Sequence, residues 1–148
     1  MRGAQCTVHV VQQGLEMTLA YAGDPASKRI LIVEDEPFVA LSLVDALSEL
    51  GFDVAGWVGD VRAAIDFIGR EHIDGALLDV HLGSQRVDPV ADLLAARACP
   101  FFFTTGLGRV DVPAAHADRA FLQKPFGTAD LASMLDRVFG SGGRPSGS

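Results

Sequence analysis

Four carboxylates stand where apolar runs end. Ile30-Leu31-Ile32-Val33 leads into Glu34-Asp35-Glu36, and Gly75-Ala76-Leu77-Leu78 leads into Asp79. Each run has the length and bounding of a fully buried parallel strand, so both deliver acids to the carboxyl edge of one sheet, where open α/β folds place ligands. Carboxylates gathered there repel one another and resist joint ionisation unless a cation sits among them; an all-oxygen set suits a hard ion such as Mg²⁺. Two further runs end in complementary groups. Phe101-Phe102-Phe103 runs into Thr104-Thr105-Gly106, and Ala120-Phe121-Leu122-Gln123 into Lys124-Pro125. A cation, a hydroxyl and an ammonium on one edge would accommodate a phosphoryl group.

The elements that must position these residues follow from periodicity. Arg29 to Val33 reads as a strand, and Pro37 opens a helix with Val39, Leu43, Ala46, Leu47 and Leu50 on its apolar face, stopped by Gly51. Phe52 to Val58 is the next strand; Asp60 caps a helix carrying Val61, Ala64, Ile65 and Ile68; Ala76 to Leu78 is the third strand. Asp88-Pro89 is read as cap and first turn of a helix burying Val90, Leu93, Leu94 and Ala98. After the Phe101–Phe103 strand, Gly108 and Pro113 leave the fourth helix short or irregular. Ala120 to Gln123 is the fifth strand, and Thr128 is read as the cap of a last helix with Leu131, Met134, Leu135 and Val138 inward. Five strands alternating with about five helices predict an α/β, doubly wound parallel sheet with helices on both faces.

Three segments are expected. Residues 1–27 form an N-terminal extension in which Val8, Val10, Leu15, Met17 and Leu19 alternate with polar residues around Gln12-Gln13-Gly14, a hairpin pattern; residues 28–139 are the main domain; residues 140–148 are a flexible Gly/Ser-rich tail. The extension is read either as a hairpin packed on the domain or swapped into a homodimer, or as the remnant of a preceding domain. The formal charge of -7, from 12 basic and 19 acidic residues with no Lys/Arg block, argues against direct nucleic-acid binding. Cys6 and Cys99 have no metal-type spacing, and no export segment or membrane span is visible; a cytoplasmic protein with reduced thiols is expected. His9, His72 and His116 share no metal spacing and are read as surface or loop residues.

Taken in order, Ile30-Leu31-Ile32-Val33-Glu34-Asp35-Glu36-Pro37, Leu77-Leu78-Asp79-Val80, Phe103-Thr104-Thr105-Gly106 and Gln123-Lys124-Pro125-Phe126 resemble the receiver domain of two-component response regulators. The resemblance spans about residues 28–139 and implies a flavodoxin-like strand order 2-1-3-4-5. It implies that Asp79 is the phospho-acceptor, charged by a sensor histidine kinase or a phosphotransfer protein. Glu34 and Asp35 match the acidic pair that, with Asp79 and the backbone carbonyl of His81, holds Mg²⁺. Thr105 and Lys124 match the groups that bond the phosphoryl oxygens, and Lys124-Pro125 the place where such domains usually have a cis peptide. Thr105 and Phe121 match a coupled switch pair whose movement reshapes a face read by a downstream protein partner; Phe121 stands where Tyr is commoner. Two departures bear on recognition: the usual Pro-Gly-containing loop is replaced by His81-Leu82-Gly83-Ser84-Gln85-Arg86-Val87, and the fourth helix is weak.

Taken alone, Asp79 could merely cap a turn, Thr105 could bond backbone, Phe121 could be core, and the His81 side chain could tune phosphate lifetime or stand exposed without a role. Set together, the residues favour a phospho-accepting signalling module that is not a turnover enzyme. The alternatives are the receiver segment of a hybrid histidine kinase, a pseudo-receiver that binds partners unphosphorylated, and an Asp-nucleophile, Mg²⁺-dependent phosphatase. The last is disfavoured because the DxDx[TV] pattern it would need after the first strand is missing.

Overall fold

The computed structural model describes the backbone of residues 4–12 and 15–23 and the complete residues 27–140. Five parallel strands form the centre: β3 (Arg29–Val33), β4 (Asp53–Val58), β5 (Gly75–Asp79), β8 (Phe101–Thr105) and β9 (Phe121–Gln123). They lie in the order β4-β3-β5-β8-β9, which is the 2-1-3-4-5 order of a flavodoxin-like sheet. The central strands read as continuous apolar runs because helices cover both of their faces. Alternation then sorts their side chains. Leu31, Val33, Leu78, Phe101 and Phe103 pack on one side against α2 (Val61–Arg70) and α3 (Asp88–Ala96). Ile30, Ile32, Trp57, Leu77 and Phe102 pack on the other against α1 (Pro37–Glu49) and α4 (Thr128–Phe139).

Preceding these, β1 (Ala4–Gln12) and β2 (Leu15–Gly23) pair antiparallel, and β1 runs parallel to β4 with His9–Val11 opposite Gly56–Val58. The sheet therefore has seven strands, with β2 at one edge. The expected turn residues Gln13 and Gly14, and the tail from residue 141 onward, lie outside the described residues.

The helix starts differ by one residue from expectation in two places. Val87, rather than Asp88, is the N-cap of α3, which puts the Asp88 carboxylate in the first turn, where the helix dipole favours an anion. Gly127, rather than Thr128, caps α4; the Asp130 carboxylate reaches back to accept the Gly127 N–H at 3.4 Å. Asp60 caps α2 as expected, accepting the Ala63 N–H at 2.8 Å.

Four α-helices occur among the described residues, against the expected five or so. Between β8 and β9 the chain makes two 3₁₀ turns, Arg109–Asp111 and Ala114–His116. Gly106, Gly108 at φ 79°, the β-branched Val110 and Val112, and Pro113 together deny this stretch a continuous helix. Side chains hold it down instead. The Arg119 guanidinium lies 4.1 Å from the centre of the Phe101 ring, and His116 packs edge-on to Phe101 while bonding Asp92 at 2.7 Å. His116 is thus a loop residue as expected, in the β8–β9 connection, but buried rather than at the surface.

The segment after Asp79 is also more ordered than a loop. β6 (His81–Leu82) and β7 (Gln85–Arg86) form a small hairpin, with Gly83 at φ 62° in the first turn position, as a type II′ turn needs.

Candidate functional site

The ends of β3, β5 and β9 bring four side chains together. Glu34 is buried because its amide continues the ladder to the Val58 carbonyl at 3.0 Å, while its own carbonyl accepts the buried Trp57 indole N–H at 2.7 Å. Its carboxylate accepts the Glu36 N–H at 3.0 Å and the Lys124 ammonium at 2.9 Å. Asp79, the last residue of β5, accepts the same ammonium at 3.1 Å and the His81 N–H at 3.3 Å. Asp35 reaches outward and accepts the Gly83 N–H from the tip of the β6–β7 hairpin at 2.8 Å. Lys124 follows β9 directly, its amide bonded to the Thr105 carbonyl at 2.8 Å, and its bond to Pro125 is cis.

One oxygen from each of Glu34, Asp35 and Asp79 lies within 4.8 Å of the others. The electrostatic load is visible in Glu34, whose carboxyl is pushed up to about 7 by burial and next by the Asp79 charge, with Lys124 only partly offsetting both. Burial on its own would lower the Lys124 ammonium, but the Glu34 and Asp79 carboxylates outweigh it and hold the group above its ordinary value. A hard divalent cation fits this donor set: all ligands are carboxylate oxygens, and the least buried, Asp35, leaves a side open for retained waters. The His81 carbonyl is also available. Val80 accepts the Val87 N–H at 2.9 Å, and antiparallel pairs alternate, so the His81–Arg86 pair is of the non-hydrogen-bonded kind.

Thr105 and Phe121 are engaged elsewhere. The Thr105 hydroxyl donates to Asp111 at 2.9 Å and accepts the Leu107 N–H at 3.0 Å. Phe121 lies beside Phe103 in register, and the Arg109 guanidinium sits 4.7 Å from its ring centre. The His81 imidazole, half-exposed, is bonded to Asp111 at 2.8 Å. Arg86 adds contacts to the Asp111 carboxylate at 3.2 Å and to its carbonyl at 2.9 Å. Asp111 and Arg86 were not singled out from sequence. Gly83-Ser84 between two short strand-like dipeptides is the hairpin signal that would have placed His81 and Arg86 side by side; Asp111 carries no comparable local mark.

No protein-family model matches the chain. It is 43% identical to SdrG from Sphingomonas melonis Fr1, whose solution structure superposes with a TM-score of 0.67 over 74% of this chain and 94% of that one. It is 32% identical to the phyllosphere-induced regulator PhyR of Methylorubrum extorquens, over 79% of this chain and 45% of PhyR. The receiver domain of the sensor histidine kinase PA1611 from Pseudomonas aeruginosa, solved with magnesium in its active-site cleft, is 28% identical with a TM-score of 0.67, over 78% of this chain and 99% of that one. The chain belongs to the receiver domains of response regulators, the signalling modules of two-component systems. It spans about half the length of the curated relatives it matches. Among the described residues, no helix is long and apolar enough to cross a membrane.

Proposed function

We propose that this receiver takes a phosphoryl group onto Asp79 from the phosphohistidine of a sensor kinase or phosphotransfer protein, and signals by contact with a downstream protein. The observation that carries this reading is the convergence of Glu34, Asp35 and Asp79 with Lys124 between two of them. Glu34, Asp35, Asp79 and the His81 carbonyl would hold Mg²⁺, which offsets the repulsion between an anionic nucleophile and an anionic donor. An Asp79 carboxylate oxygen attacks phosphorus in line as the P–N bond of the donor breaks, and the imidazole leaves with the bonding pair. Lys124 then bonds a phosphoryl oxygen as a point charge, and the Thr105 hydroxyl donates to another. The chain acts once per phosphoryl group received and is no turnover enzyme.

The receiver is expected to gain one phosphoryl group from acetyl phosphate, by intact mass, only with Mg²⁺ present. Asp79→Asn should abolish the gain. Equal labelling of that variant would refute the assignment, and many turnovers per chain of a phosphoester would favour the phosphatase reading.

A further inference from the structure

Asp111 takes no part in the chemistry above, yet it is 8% exposed and its carboxylate accepts from three side chains: Thr105, His81 and Arg86. We propose that Asp111 is a latch that holds the Thr105 hydroxyl in the unphosphorylated receiver and competes for it with the phosphoryl group on Asp79. The inference rests on the proposed phospho-acceptor role of Asp79.

The competition follows from proton count. A threonine hydroxyl has one hydrogen to donate, and both a carboxylate and a phosphoryl oxygen can only accept. Thr105 bonded to Asp111 therefore cannot serve the phosphoryl group at the same time. Asp111 does not travel with Thr105, because it is tied on its other side: His81 and Arg86 grip it from the β6–β7 hairpin, the second of them at both carboxylate and carbonyl. Those same bonds keep its buried charge satisfied after Thr105 leaves, so release costs one hydrogen bond and strands no ion. The release also has an outward consequence. Thr105 is the acceptor for the Leu107 N–H, and Leu107, 65% exposed, begins the stretch that contains the first 3₁₀ turn. Turning the hydroxyl away frees the backbone of that stretch at the surface.

A purely structural role for Asp111 and the latch differ in sign. If Asp111 only braces the loop, removing it lowers affinity for a phosphoryl mimic or leaves it alone; if it competes for Thr105, removing it raises affinity. The test is calorimetric titration of the full chain with beryllofluoride in saturating Mg²⁺. Asp111→Ala should bind about tenfold more tightly than the native chain, the scale of one hydrogen bond to a charged acceptor. Asp111→Asn, which keeps the shape of the side chain but replaces the charged acceptor facing Thr105 with a weaker neutral one, should tighten binding in the same direction by less, and it serves if the alanine variant fails to fold. In a Thr105→Val background neither change should have an effect. Unchanged or weaker binding in the folded variants, or equal tightening without the Thr105 hydroxyl, overturns the latch. Absence of beryllofluoride binding by the native chain overturns instead the phospho-acceptor reading on which the latch depends.

Discussion

Lys124 occupies the place between Glu34 and Asp79 where a dication would also neutralise charge, so ammonium and metal would compete for the same two carboxylates. Lys124→Gln is expected to bind Mg²⁺ several-fold more tightly than the native chain while failing to retain beryllofluoride, two effects of opposite sign read in separate titrations. Without Mg²⁺ the same variant leaves two half-satisfied acids and should lose about 2 kcal/mol of stability. Saturating Mg²⁺ should restore most of its melting temperature. A variant that neither gains Mg²⁺ affinity nor responds more than the native chain would contradict the shared-carboxylate geometry. At this scale the sequence was legible where a residue ends a buried strand: Glu34, Asp79, Thr105 and Lys124 each follow a run long enough to fix their position. Asp111 was hidden because two of its partners, His81 and Arg86, come from a hairpin 30 and 25 residues earlier, a distance no local pattern bridges.

The β6–β7 hairpin and the close approach of α4 to β5 set the element scale. Gly75 leaves room for the Phe139 ring, which an added Cβ would strike. Gly75→Ala should cost about 1–3 kcal/mol by forcing the end of α4 outward, seen as a lower melting temperature. Gly83→Val meets a different obstacle, since φ 62° suits glycine and strains a β-branched residue by about 1–2 kcal/mol. Because the Gly83 amide also anchors Asp35, that variant should bind Mg²⁺ more weakly as well as melt earlier. Loss of stability with unchanged Mg²⁺ affinity would show that the anchor does not matter. Helices with long apolar stripes were readable from sequence, whereas cap positions slipped by one residue at Asp88 and Thr128, because a Ser/Thr/Asp preference at helix starts does not distinguish cap from first turn.

For the whole molecule, the two core clusters run from Ile30 to Phe139 and close on both faces of the five parallel strands. The N-terminal strand pair joins this body through the edge of β4. Deleting residues 1–26 should therefore leave a cooperatively unfolding domain with the same Mg²⁺ affinity, checked by thermal melting and titration. Collapse of the truncated chain would make the hairpin part of the folding unit. The alternating pattern of residues 1–27 suggested a hairpin, but which strand it would join depends on the open edge of β4, a property of the assembled sheet.

The indole of Trp57 gives this molecule an optical channel of its own. It is the chain's one tryptophan, it is 2% exposed, and its N–H ends on the carbonyl of Glu34 at the margin of the acid cluster. Any cation or phosphoryl mimic that draws on Glu34 alters the field along that bond, so the emission of the unlabelled receiver can follow occupancy of the site in real time.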